Sequence, residues 1–300
     1  MNKKIFIILL LTCLLFLSSC KKEEEIKVIL PNGTPLIAIA GVENKFVNYE
    51  NVGNTFLLTA AFTSKSHDII IAPINVGAKL FNNKSSIYQL DSIITFSNIY
   101  LVSKGKLDSV DDLNGKKIAA YGSNLTPGIM LEKALDGIDY EVDYYSGMSE
   151  VVGFLVNDTV DVIMSAEPTL SNLIISKKLD LNILDISELL IDYIPMIPQA
   201  GIFVNPESKN QKEISDYITQ IKENIGYLNT SPTFYSKIVS NKNEWLELLG
   251  EEIINESIPK SNIDFKKAKE YKEELKIFYD FLNSVNKEIL SGDIDEEFYR

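Results

Sequence analysis

The 300-residue chain has one histidine, one tryptophan and two cysteines, and its only arginine is the last residue, Arg300. A single histidine rules out a multi-histidine metal site. It also leaves a Ser or Cys nucleophile with one candidate base. That histidine, His67, lies in Thr63-Ser64-Lys65-Ser66-His67-Asp68, a polar turn before an apolar run, and reads as a surface-loop residue. Positive charge is also scarce: 29 Lys+Arg stand against 42 Asp+Glu, a net charge of −13. A nucleic-acid binder needs a basic face to neutralise phosphates, so that class is excluded. No phosphate-loop, dinucleotide or calcium-loop pattern occurs. Tyr121-Gly122-Ser123-Asn124-Leu125 lacks the second glycine of a nucleophile elbow. The pairs Asp111-Asp112, Glu251-Glu252 and Glu296-Glu297 are adjacent in sequence and read as solvated helix-end charge. The expectation is a protein without catalytic residues, cofactor or metal.

What is present is ordinary core material, 45% hydrophobic and 24% charged, which suits one two-lobed unit or two modest domains. Short apolar runs recur at Ile26–Leu30, Asp68–Ala72, Ile93–Val102, Lys116–Tyr121, Val160–Ser165, Leu181–Leu184 and Gly201–Val204. Runs of this kind suit strands covered on both faces, so the class is α/β with mostly parallel sheets. Beyond Pro206 the spacing turns helical, over Lys209–Leu228, Thr233–Leu249 and Phe265–Leu290, with no further strand evident.

Four times an apolar run ends, a proline follows within a few residues and a helical pattern begins. The first junction is Pro31-Asn32-Gly33-Thr34-Pro35, with Thr34 placed as N-cap and Pro35 at the first helical position. The second is Pro73-Ile74-Asn75. The third is Gly122-Ser123-Asn124-Leu125-Thr126-Pro127-Gly128, and the fourth is Ala166-Glu167-Pro168. In a parallel sheet such junctions share one edge, where helix N-termini present unpaired N–H groups. Two pairs about a hundred residues apart imply two sheets facing each other across a cleft. Asn32, Gly33, Thr34, Pro73, Asn75, Ser123, Asn124 and Thr126 are then candidate ligand contacts. Glu167, the one carboxylate at a junction, is either an acceptor for an amine-bearing ligand or a cap for its own helix. Tyr100, Tyr121 and Phe96 could stack on a flat ligand or belong to the core.

The N-terminus reads as an export signal. Lys3 and Lys4 precede the uncharged run Ile5–Leu17, too short for a bilayer span of about 20 residues. Leu17-Ser18-Ser19-Cys20 resembles the lipobox of bacterial lipoproteins, which implies cleavage after residue 19 and lipid on Cys20. Cys13 leaves with the signal, so no disulfide is expected. Residues 20–25 form a charged tether.

With these features, Pro31-Asn32-Gly33-Thr34-Pro35 and Asp68 through Leu80 resemble the substrate-binding lipoproteins of bacterial ABC importers. The similarity is to the nitrate, sulfonate, taurine and thiamine-pyrimidine-precursor branch. Asp112-Leu113-Asn114-Gly115-Lys116-Lys117-Ile118, Ser165-Ala166-Glu167-Pro168 and Ile294-Asp295-Glu296-Glu297-Phe298-Tyr299 are similar to further family motifs, without the proline often preceding the last. The resemblance implies a class II periplasmic-binding fold, with two mixed, mostly parallel sheets, helices on both faces and a double crossover hinge. Lobe 1 would hold residues 26–98 and 205–300, and lobe 2 residues 99–204. The outbound crossing would lie near Asn98–Lys104 and the return near Gly201–Asn205. Asn98 and Gln199, on and before these crossings, join the candidate contacts. The implied role is a monomeric receptor at the outer face of the membrane, held there by lipid on Cys20. It would deliver a small molecule to an ABC permease and its ATPase. A heteroaromatic amine, a small sulfonate and a neutral metabolite are the ligand classes left open. A lipid-anchored sensor and a two-lobed enzyme are the alternative roles.

Overall fold

The computed structural model describes residues 25–145 and 147–300. The signal segment 1–19 and Cys20 lie outside the described residues. Eleven strands divide between two sheets.

The chain opens with β1 (Ile26–Pro31), α1 (Thr34–Ile39), β2 (Val47–Val52), α2 (Thr55–Ser64), β3 (Ile69–Pro73), α3 (Ile74–Asn82) and β4 (Gln89–Phe96). It then builds β5 (Ile99–Ser103), β6 (Lys116–Tyr121), α4 (Thr126–Ala134), β7 (Tyr140–Tyr145) and α5 (Met148–Val156). Next come β8 (Val162–Ala166), α6 (Thr169–Ser176), β9 (Asn182–Asp185), α7 (Ile186–Leu190) and β10 (Pro198–Val204). The remainder is α8 (Gln211–Thr230), α9 (Pro232–Val239), α10 (Glu244–Ser257), β11 (Ile263–Lys267) and α11 (Lys272–Val285).

One sheet has the order β11-β4-β10-β3-β1-β2 and the other β7-β6-β8-β5-β9. Each has a parallel core, β2-β1-β3 and β7-β6-β8. Antiparallel strands β10, β4 and β11 extend the first, and β5 and β9 the second. The sheets are therefore mixed, with less parallel pairing than the apolar runs suggested. A strand covered on both faces has the same residue pattern whichever way its neighbours run.

Three strands escaped the sequence reading: β2, β7 and β11. All three lie at sheet edges, where one flank and part of each face meet solvent. VNYENV, YEVDYY and IDFKK consequently lack a continuous apolar run. β11 also overturns the expectation of no strand past Pro206. Two expected helices divide as well. Residues 233–249 belong to α9 and α10, and 265–290 to β11 and α11.

The expected long strand Ile93–Val102 is two strands in different sheets, parted at Ser97-Asn98. This is the outbound crossing. The return lies earlier than the resemblance implied. Pro198–Val204 pairs with β3 and β4, so β10 belongs to lobe 1 and the chain crosses back at residues 195–197. Apolar clusters fill both lobes, and one runs through both, joining Phe62 and Phe203 to Leu101 and Met130 and to Phe278 of α11. The C-terminal motif is anchored on β4. Phe298 is buried, and the Arg300 N–H donates to the Leu90 carbonyl at 2.9 Å.

Candidate functional site

β1, β3 and β4 end, and β10 begins, at one edge of the first sheet; β6 and β8 end, and β5 begins, at the facing edge of the second. All four proline-marked junctions meet there around a single cavity of about 530 Å³. Both crossings contribute to its wall, through Asn98 and through Ile197 to Ala200.

Gly33 begins the first junction with φ 108° and ψ −157°, a backbone state open essentially only to glycine. It is the N-cap of α1, so Thr34 is the first helical residue and Pro35 the second, one position later than expected. At the third junction the N-cap is Leu125, and Thr126 and Pro127 follow in the same way. The shift matters because neither threonine hydroxyl caps a helix. Thr34 Oγ1 instead donates to the Glu167 carbonyl of lobe 2 at 3.2 Å and accepts from Asn98 Nδ2 at 2.9 Å. Thr126 Oγ1 is buried with no hydrogen-bond partner, at the wall of the cavity.

The N-caps of α3 and α4 are Pro73 and Leu125, and neither helix receives a side-chain cap. Of the helices that start elsewhere, α2, α7 and α10 are capped by Asn54, Asp185 and Asn243, while α5, α8, α9 and α11 have no side-chain cap either. The first residues of α3 and α4 line the cavity, so their N-terminal dipoles face it without a side-chain acceptor.

Glu167 is only 6% exposed. Its Oε1 accepts from Ser171 Oγ at 3.0 Å and its Oε2 from the Ser171 N–H at 3.3 Å. The carboxylate thus bonds its own helix and at the same time lines the cavity. Burial raises its pKa to about 7, against the opposing pull of the Ser171 bonds and of Lys260.

Asn32, Gly33, Thr34, Pro73, Asn75, Asn98, Thr126, Glu167 and Gln199 all line the cavity, as the sequence suggested. Ser123 and Asn124 do not. They sit exposed on the tip of their turn, Asn124 with φ 56°, and bond to one another. Among the aromatic candidates only Tyr121 reaches the wall. Tyr100 donates its hydroxyl to the Lys260 carbonyl, and Phe96 lies under Lys266 Nζ. Sequence reasoning missed Thr95, Val76, Ile99, Ile197 and Pro198. Ile197 and Pro198 would have been signalled by a correctly placed return crossing, Thr95 and Ile99 by the outbound one, and Val76 by its place next to Asn75 in the second junction. No lysine, arginine or histidine appears on the wall among the described residues. No group of metal-ligating side chains occurs among them either.

Two mixed α/β lobes, joined by two crossings and closing on a cleft of strand ends, define the periplasmic-binding-protein fold. Comparison with solved structures agrees. An ABC transporter structure from Parabacteroides distasonis superposes with TM-score 0.79 at 20% identity, covering 92% of this chain and 98% of that one. The periplasmic aliphatic sulphonate binding protein SsuA from Escherichia coli gives 0.68 at 12% identity, with 92% of each chain covered. A ligand-binding component of an ABC-type import system from Staphylococcus aureus gives 0.61 at 12%, covering 92% and 96%. No family model matches the sequence, and no curated protein does. At these identities the likeness establishes the fold.

Proposed function

We propose that the protein is an extracytoplasmic solute-binding receptor. It traps a small molecule between its lobes and presents the closed form to an ABC import permease. The observation that carries this reading is the convergence of four strand-to-helix junctions, two from each lobe, on one cavity. A ligand touching both lobes stabilises the closed arrangement by its differential affinity for it. The wall supplies neutral amides, hydroxyls, apolar surface and the Glu167 carboxylate that accepts from Ser171, a set suited to hydrogen-bonded capture of a small molecule. The structural neighbours, an ABC transporter, a sulphonate binding protein and a ligand-binding component of an import system, support the same role. Membrane attachment through lipid on Cys20, with the body acting as a monomer, completes the proposal.

The test is to purify the protein from its own cells, denature it and identify the released small molecule by mass spectrometry. Calorimetry with that compound should show one site per chain, and Thr34→Trp, which fills the cavity, should abolish it. Conversion of the compound by the protein, or equal binding by the filled variant, would refute the receptor reading.

A further inference from the structure

A second cavity, of about 450 Å³, lies on the other side of the hinge. The two crossings form the wall between it and the front cavity. Ser97 lines the rear one and its neighbour Asn98 the front one, while Ile197 lines both. The rear floor is apolar, built by Phe96, Ile194, Met196 and Ile263, and Ser97 stands beside them. Ser97 is 2% exposed, and its Oγ has no hydrogen-bond partner. A buried hydroxyl left unpaired is costly, and a polar group that reached it at this wall would offset the cost.

The rim of the pocket carries charge. Glu188 at the end of lobe 2 and Asp264 on β11 of lobe 1 both line it and are both exposed. The single lysine on the wall, Lys266, holds its Nζ 5.3 Å from the Phe96 ring centroid and 4.5 Å from that of Tyr271. Its charge lies over aromatic faces and offsets one of the two carboxylates, so the mouth stays net negative. An apolar floor, a buried hydroxyl and a net negative rim complement a small protonated amine with an apolar body.

We propose that this rear pocket is a second ligand site, selective for small organic ammonium ions, and that its occupant biases the hinge. The pocket is bounded by Glu188 and Ile191 from lobe 2 and by Asp264 and Lys266 from lobe 1, so rotation of the lobes changes its shape. Whatever binds there alters affinity at the front cavity, and the reciprocal effect is equal.

The test uses the protein labelled with ¹³C at its methionine methyl groups and titrated with benzylamine. Met196 lines the rear pocket, whereas the buried Met130 and Met164 do not and serve as internal references. Benzylamine should shift the Met196 signal saturably and leave the references in place. Ile191→Trp, at a position 58% exposed on the pocket wall, should abolish the shift without disturbing the fold. The double variant Glu188→Gln, Asp264→Asn should weaken binding roughly three- to tenfold. Benzyl alcohol, the neutral analogue, should bind correspondingly less well than benzylamine. Thr34→Val, which removes the interlobe bond of the front cavity, should change the benzylamine affinity. Absence of a saturable Met196 shift, or its persistence in Ile191→Trp, overturns the site. Equal binding of benzyl alcohol overturns the ammonium selectivity, and an unchanged affinity in Thr34→Val overturns the hinge bias.

Discussion

Thr34 is the residue on which the two lobes meet at the cleft. Its hydroxyl accepts from Asn98 on the outbound crossing and donates across the cleft to the Glu167 carbonyl. Thr34→Val keeps the volume and removes both bonds, leaving the Asn98 amide unpaired in a buried setting. The expected cost is about 1–3 kcal/mol, read as a lower urea midpoint, with Thr34→Ser retaining most of the stability. Glu167 makes a second prediction. Its folded-state pKa is raised from 4.5 to about 7, so the folded form binds the proton more tightly than the unfolded form. Its stabilising contribution is full below about pH 4.5 and is lost as pH rises through about 7. The loss is on the order of 3 kcal/mol. Glu167→Gln still accepts from Ser171 and does not titrate. Relative to this variant, the parent should lose stability between pH 4.5 and 7, measured as urea midpoints across that range. Parallel midpoint curves for the two proteins would contradict it.

At the scale of elements, the junctions were legible because they rest on local chemistry. Proline in a first helical turn, and glycine where φ is positive, leave a sequence signature. The interior strands β1, β3, β6 and β8 were legible for the same reason, since full burial demands uninterrupted apolar residues. The edge strands β2, β7 and β11 were not, because pairing on one side alone does not require such a run. Nor could the residues around Ser97 show that β4 and β5 lie in different sheets, since both halves of that stretch are equally buried. The turn before α4 depends on close approach. A Cβ on Gly128 would stand 2.5 Å from the Gly122 carbonyl oxygen and 3.2 Å from the Tyr144 ring. Gly128→Ala should therefore destabilise by about 1–3 kcal/mol. Gly153→Ala, within α5 and with open space at its Cβ, should be neutral or stabilising by up to about 1 kcal/mol. Thermal midpoints of the two variants make the comparison.

The whole molecule is an acidic two-lobed body whose fold is that of periplasmic binding proteins. Among the described residues no helix is long and apolar enough to cross a membrane, and the attachment proposed above is through lipid on Cys20. Cys20→Ser should move the protein from the membrane fraction to the aqueous fraction of fractionated cells and abolish labelling by a clickable fatty acid. A membrane-bound, unlabelled variant would assign attachment to another part of the chain. Apart from Asn98 and Gln199, which the resemblance supplied, the sequence alone determined the α/β class, the four proline-marked corners, seven of the residues on the cavity wall and the scarcity of groups for catalysis. Each of these depends on what a residue is and on neighbours a few positions away. Only the tertiary structure decided that β10 returns to the first sheet, that the Glu167 carboxylate serves Ser171, and that the crossings separate two cavities. Those features depend on which buried surfaces meet across a hundred residues of chain, and many pairings of the same apolar runs would satisfy the local rules equally well.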